Sequence, residues 1–200
     1  MNYYYIILTP DLPSSLKYSR KYPFLNQIPN IPAKSFADLF DVFVKMSKKK
    51  ILTLVFLREE SKVLLGMKKR GFGAGKWNGF GGKVEAGETI VEAAVREVKE
   101  ECGYDVEQSH LEETATIDFE FEGDPVLWEV HVFQTTKFSG EMQETEEMRP
   151  RWWQEDEVPF QEMWLDDQHW YPHMFKKEKF KAYFLFQGHD KILDYKINLL

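Results

Sequence analysis

The sequence predicts an α/β protein, a mixed β-sheet sandwiched between helices. Three observations carry that prediction. Short apolar runs of strand character recur from residue 51 onward. One helical stretch in their midst has a clean apolar stripe, and a second, proline-broken helical stretch follows it. The length, 200 residues, suits one domain with a sizeable core plus an appendage.

The appendage comes first, and the chain divides into an extension over 1–45 and a folded domain over 46–200. Met1–Leu8 is aromatic and apolar, but it lacks a basic flank and is interrupted at Pro10 and Pro13, so it is a poor secretory signal. Residues 11–34 are rich in Pro, Ser, Asn and Lys without a period and read as loop or disorder. Ser35–Met46 suits a short helix, with Phe36, Leu39, Phe40 and Phe43 on one face and Ser35 and Asp38 resembling a capping box. Acidic residues are few before Asp38, which leaves a mitochondrial transit sequence open. A working chain that begins at Met46 is an equal alternative.

From residue 50 the pattern is compact. Ile51–Leu57 and Lys62–Met67 read as strands across the polar turn Arg58–Ser61. Gly71–Gly82 is a glycine-rich loop, and a helix is expected over Thr89–Cys102. Strands follow near Thr114–Phe121, Trp128–Thr136 and Arg149–Gln154. Trp164–Lys177 is a broken helical segment with Pro172 tolerated near its start. Phe180–Phe186 and Lys191–Ile197 make a hairpin across Gln187–Asp190.

Bulk properties narrow the function. A net charge of −7 makes the chain a poor partner for nucleic acid polymers, whose counterions Lys and Arg must replace. A small-molecule substrate fits better. No apolar run reaches membrane-spanning length. The single cysteine, Cys102, excludes an internal disulfide framework, suits a reducing compartment and falls on an apolar helix stripe. The histidines His110, His131, His169, His173 and His189 show no zinc-ligand spacing, and His131 reads as structural.

The chemistry concentrates between Gly82 and Tyr104, which reads G-x5-E-x7-R-E-V-x-E-E-x-G-Y. Glu97, Glu100 and Glu101 are related by i, i+3 and i+4, so they share one helix face. Val91, Val95, Val98 and Cys102 form an apolar stripe on another face at about 100° per residue. Like charges this close repel unless a cation sits among them, and hard divalent cations take carboxylate oxygens together with substrate phosphates. A solvated acidic surface is the plain alternative for an isolated E-x-x-E-E. Gly82, Glu88, Arg96 and Gly103 at fixed spacing argue against it.

This stretch resembles the Nudix box and matches its polar and glycine positions; Tyr104 stands where an aliphatic residue is more usual. The resemblance implies the Nudix fold and hydrolysis of nucleoside diphosphates linked to another group. It implies Mg²⁺, with Mn²⁺ as a substitute, on Glu97, Glu100 and Glu101, and an Arg96–Glu88 pair holding loop to helix.

A longer resemblance runs from Thr53 to Tyr195. The run Val63–Val84, His131–Phe133, Glu147–Pro150, Met163–Trp170 and Phe186–Tyr195 resemble the oxidised purine nucleoside triphosphate hydrolase branch, the 8-oxo-dGTPases. It implies a role for Glu147 at the metal or as a base, and a metal contact from the Gly81 carbonyl. Phe80, Gly82, Lys83 and Lys68 would lie near the nucleotide. Thr53, Asn78, Phe72, Trp164, Asp166 and Asp167 would form the base pocket, with Asn78 reading a purine edge and Trp164 stacking. Two positions depart from the branch: Trp128 stands where methionine is usual, and Leu165 where proline is. Both bear on base preference.

The implied activity is Mg²⁺-dependent hydrolysis of modified purine nucleoside triphosphates to monophosphate and pyrophosphate. A Nudix enzyme for ADP-ribose or a dinucleoside polyphosphate, and a non-catalytic nucleotide-binding module, are the alternatives. The expected protein is a monomer with no membrane or nucleic acid partner, cytoplasmic, with mitochondrial or nuclear presence open.

Overall fold

The computed structural model describes residues 49–200 of the chain. The expected extension over 1–45 and the helix expected at Ser35–Met46 lie outside the described residues.

Eight strands form one mixed sheet. They are β1 (Lys49–Glu59), β2 (Lys62–Lys68), β3 (Trp77–Asn78), β4 (Glu112–Phe121), β5 (Leu127–Thr135), β6 (Met148–Gln154), β7 (Phe180–Gln187) and β8 (Lys191–Leu199). Two α-helices accompany them, α1 (Ile90–Cys102) and α2 (Asp167–Phe175). The spatial order is β3-β2-β1-β5-β4-β7-β8, with β6 also paired to β2. β1 runs parallel to β5 and β4 parallel to β7, while the other pairs are antiparallel.

β1 is the hinge of the design. One edge pairs with β5 along its length. The other pairs with β2 only from Leu57↔Leu64 to Glu59↔Lys62. Beyond that point the glycine segment takes over, with Val55 bridged to Phe80 and Leu52 to Lys83. Alternate β1 side chains enter opposite cores. Val55 and Leu57 join Phe80, Ala94, Val98 and Cys102 on the α1 side. Phe56 joins Ile117, Trp170, Tyr171 and Phe184 on the α2 side. Burial on both faces is why β1 reads as a continuous apolar run.

Both ends of α1 are fixed by local chemistry. The Thr89 hydroxyl accepts from Glu92 N while the Glu92 carboxylate accepts from Thr89 N, a complete capping box. Gly103 closes the helix in the left-handed region at φ 83°, where glycine carries no Cβ penalty. The buried face is phased differently from the valine stripe expected. Ala93, Ala94, Val98 and Cys102 are fully buried, Val91 is partly so, and Val95 lies at the margin. The small alanines let α1 approach the sheet closely, and Glu101 is carried inward with them.

α2 is shorter than the segment expected, and Pro172 lies inside it rather than at its start. Its last turn is supported from outside. The Arg58 guanidinium, buried at the end of β1, donates to the Met174 and Phe175 carbonyls at 3.3 and 3.2 Å and pairs with Glu155. The strand Trp77–Asn78, within the expected loop, is held by β2 at Gly66↔Asn78 and Met67↔Trp77.

Candidate active site

The glycine segment and α1 meet at a row of carboxylates. Thr53 N donates to the Gly82 carbonyl at 2.8 Å, and Phe80 exchanges hydrogen bonds with Val55. The intervening Gly81 turns its N–H to Glu101 Oε2 at 2.9 Å. This approach demands residues without side chains. A Cβ on Gly81 would lie 2.0 Å from the Thr53 carbonyl oxygen, and one on Gly82 would lie 2.5 Å from Glu97 Oε1.

Among the described residues, no group of three or more His, Cys, Asp or Glu side chains is gathered closely enough to hold a metal ion. The carboxylates are paired through cationic nitrogens instead. Lys68 Nζ lies 3.0 Å from Glu101 and 3.2 Å from Glu147, which also receives Arg70 at 2.8 Å. Arg96 Nη1 lies 2.8 Å from Glu97 and 3.1 Å from Glu100. The rest of the Arg96 fork grips Glu88 at 2.8 and 2.9 Å and the Lys83 carbonyl at 3.2 Å, tying the loop to the helix.

Environment divides these acids. Glu101 is 3% exposed, and burial raises its pKa against the pull of Lys68 and the Gly81 N–H. Burial likewise raises Glu97, opposed by Arg96. Hydrogen bonds from Arg70 and Lys68 hold Glu147 below the usual carboxylate range. Burial works against the charge on Lys68, but Glu101 and Glu147 outweigh it and raise its pKa. All the candidate side-chain ligands are oxygens, the donors Mg²⁺ prefers. The cradle below Glu97 exists only because residue 82 has no side chain. The residues present therefore fit a hard divalent cation.

Beside this row opens a cavity of about 430 Å³. Thr53, Lys68, Phe72, Asn78, Gly81, Gly82, Lys83, Trp128, Trp164, Asp166 and Asp167 line it. Asp166 and Asp167, whose default reading is a solvated helix start, are only 4% and 1% exposed. Asp166 accepts from Trp170 Nε1 and Asp167 from Trp164 N, both at 3.0 Å. Burial pushes the Asp166 carboxyl up to about 6. Burial and the Asp166 charge raise Asp167 further above its ordinary range. Asn78 Oδ1 accepts from Tyr171 Oη at 3.2 Å and from Gly79 N at 2.8 Å. That leaves its amide nitrogen, with two N–H donors, for the cavity.

The mouth is aromatic. Phe72 is 52% exposed and stacks on Trp164 with ring centroids 4.9 Å apart. It also meets Trp128 at 5.3 Å and His189 at 5.1 Å. Besides the carboxylate row and Arg96, two of the candidate substrate-binding residues do not line the cavity. The Phe80 side chain points into the α1 core, because its neighbour Gly81 takes the other side of the extended segment. Leu165 is 40% exposed, turned outward as Asp166 and Asp167 take the inward positions.

Lys50, Lys76 and His189 also line the cavity, and sequence reasoning gives them no role. His189 lies in the quoted run Phe186–Tyr195, but zinc-ligand spacing is blind to an aromatic wall. Lys76 lies within the glycine-rich run, and only the non-local Met163 carbonyl and Trp164 ring show where its ammonium group goes.

A family model described as NUDIX domain matches residues 48–174. The chain is 52% identical over 153 residues to a Danio rerio protein named oxidized purine nucleoside triphosphate hydrolase, covering 76% of this chain and 97% of that one. A Mus musculus protein of the same name is 49% identical over 152 residues, covering 76% and 96%. Among solved structures, a MutT protein from Bacillus halodurans superposes with a TM-score of 0.67 at 28% identity, covering 74% of this chain and 97% of that one.

Proposed function

The chain belongs to the NUDIX family, and on that premise we propose that it hydrolyses modified purine nucleoside triphosphates to the monophosphate and pyrophosphate. The substrates would be 8-oxo-dGTP and 2-hydroxy-dATP, with O6-methyl-dGTP and N6-methyl-dATP in the same class. Removing such precursors would keep mutagenic bases out of newly made DNA. The observation that carries this reading is the buried pair Asp166–Asp167 at the wall of a cavity that adjoins the α1 carboxylates. The two relatives named for this activity support it.

In this reading the purine stacks on Trp164 once Phe72 gives way. The Asn78 amide donates to one base edge. A partly protonated Asp166–Asp167 pair offers one donor together with acceptors, a combination that matches more than one modified purine. The Thr53 hydroxyl completes the wall. Lys68 and Lys83 face the phosphates. Arg96 keeps the Glu88 loop, the Gly82 cradle and α1 in register.

Mg²⁺, or Mn²⁺ in its place, would be held by Glu97, Glu100, Glu101, Glu147 and the Gly81 carbonyl, and would supply phosphate charge neutralisation and water activation. The gathering of the Asp166–Asp167 acids and the Asn78 amide on one cavity wall favours a purine base over ADP-ribose as the discriminated group.

Steady-state kinetics with 8-oxo-dGTP, 2-hydroxy-dATP, O6-methyl-dGTP, dGTP and ADP-ribose test the proposal. The expected result is a kcat/KM advantage of at least about tenfold for a modified purine over dGTP, with pyrophosphate released. Glu100→Gln should abolish turnover and leave folding intact, since Glu100 is exposed. Fast ADP-ribose cleavage with slow, equal turnover of all triphosphates would defeat the base reading while leaving the metal reading in place.

A further inference from the structure

We propose that Lys76 is a specificity-determining residue: its ammonium group, anchored beside Trp164, sets how many protons the Asp166–Asp167 pair carries and therefore which purine edge the cavity accepts. The inference rests on the purine reading of this cavity and deepens it.

Lys76 lies immediately ahead of β3 and lines the cavity. Its Nζ donates to the Met163 carbonyl at 3.0 Å and lies 5.0 Å from the centroid of the Trp164 ring. Met163 and Trp164 lead directly into the acid pair. One ammonium therefore grips the backbone ahead of the acids and the face of the ring beside them.

The acids need such a cation. Two adjacent carboxyls this deeply buried resist carrying two charges together. The other groups facing them are neutral. Trp170 Nε1 and Trp164 N donate hydrogen bonds, and the Tyr171 phenol is itself kept protonated by its burial and by the two acids. Of the remaining cavity bases, Lys83 sits beside Gly82 on the glycine segment, and the other three are engaged elsewhere. Lys68 pairs with Glu101 and Glu147, Lys50 lies over the Trp128 ring, and His189 packs on Phe72 and Phe121. Burial raises both acids; the hydrogen bonds from Trp170 Nε1 and Trp164 N oppose it, and the Lys76 charge, bound to the Met163 carbonyl of the same peptide whose N–H reaches Asp167, adds to that opposition.

Proton count decides recognition. With one proton the pair presents a donor and acceptors; with none it only accepts. Purines that differ in keto or amino groups demand different counts. Lys76 thus fixes the pH at which substrate preference changes.

The test follows kcat/KM for 8-oxo-dGTP and 2-hydroxy-dATP from about pH 5 to about pH 9 in wild type, Lys76→Gln and Lys76→Arg. The midpoint at which the ratio of the two changes should rise by about one pH unit in Lys76→Gln, a tenfold change in the ratio of protonated to ionised pair at fixed pH. It should stay in place in Lys76→Arg, which keeps the charge. An unmoved midpoint in Lys76→Gln, or an equal shift in Lys76→Arg, overturns the inference. Carbon NMR of the aspartate carboxyls in nucleotide-free protein follows the same titration without turnover. Wild-type protein that hydrolyses neither triphosphate defeats the functional reading; an unshifted carboxyl titration in Lys76→Gln defeats this inference alone. Lys76→Met, checked by circular dichroism, replaces Lys76→Gln if the latter does not fold.

Discussion

The Thr53 hydroxyl lies buried on the cavity wall with no hydrogen-bond partner among the described residues. Leaving a buried hydroxyl unpaired costs about 1–3 kcal/mol. Valine has nearly the same shape without the polar atom. Thr53→Val should therefore raise stability by about 1 kcal/mol in chemical denaturation. The same change should lower kcat/KM for a modified purine, because the ligand loses a partner. Lower stability with unchanged kinetics would mean that the hydroxyl serves the fold instead. Thr53 shows what residue-level reading of the chain could reach. The family resemblance picks it out, but its unpaired state depends on the Gly81–Gly82 backbone lying across β1. The aspartates make the same point. Adjacent acids at a helix start read as solvated, and only the packing of Trp170 and Tyr171 into the core turns them inward.

At the scale of elements, α1 and the glycine segment depend on different kinds of information. Thr89, Glu92 and Gly103 announce both ends of α1 within a few residues of sequence, so the helix is legible from its own stretch. The glycine segment is legible only as a loop. Its pairing with β1 at Val55↔Phe80 and Leu52↔Lys83 is non-local, and so are the parallel pairings that set the strand order. The short strand Trp77–Asn78 is missed for the same reason: β2 defines it, not its own pattern. The two elements should also fail differently. Thr89→Ala removes the cap and should cost about 1 kcal/mol, with activity retained well below the melting temperature. Gly81→Ala has no such tolerance, because its Cβ would lie 2.0 Å from a backbone oxygen that cannot rotate away. It should lower Tm more than Thr89→Ala and remove activity even where the protein remains folded. A Gly81→Ala enzyme with normal turnover would show that the segment shifts freely over β1.

Across the whole molecule, two populations of carboxylates pull stability in opposite directions with pH. Glu88, Glu92, Glu144 and Glu147 are held low, by Arg96, Thr89, Lys69 and Arg70 in turn. Their contribution is present above the ordinary carboxylate value and is lost as pH falls through their lowered values. Asp166 and Asp167 behave in the reverse sense. Burial raises Asp166 from 3.8 to about 6 and Asp167 beyond its ordinary range. The native state then binds more protons than the unfolded state, so stability falls as pH rises through that window. The difference in Tm between wild type and an Asp166→Asn, Asp167→Asn double variant isolates the pair, because the other carboxylates cancel. The variant should gain on wild type as pH rises from about 4 through about 6, and continue to gain above it as Asp167 ionises. A difference that stays flat with pH would mean that the pair is solvated or fully neutralised in the folded protein. A falling stability limb would instead show that the cavity keeps its acids at a standing cost to the fold. That cost is intelligible only if a partly protonated pair is what the ligand requires.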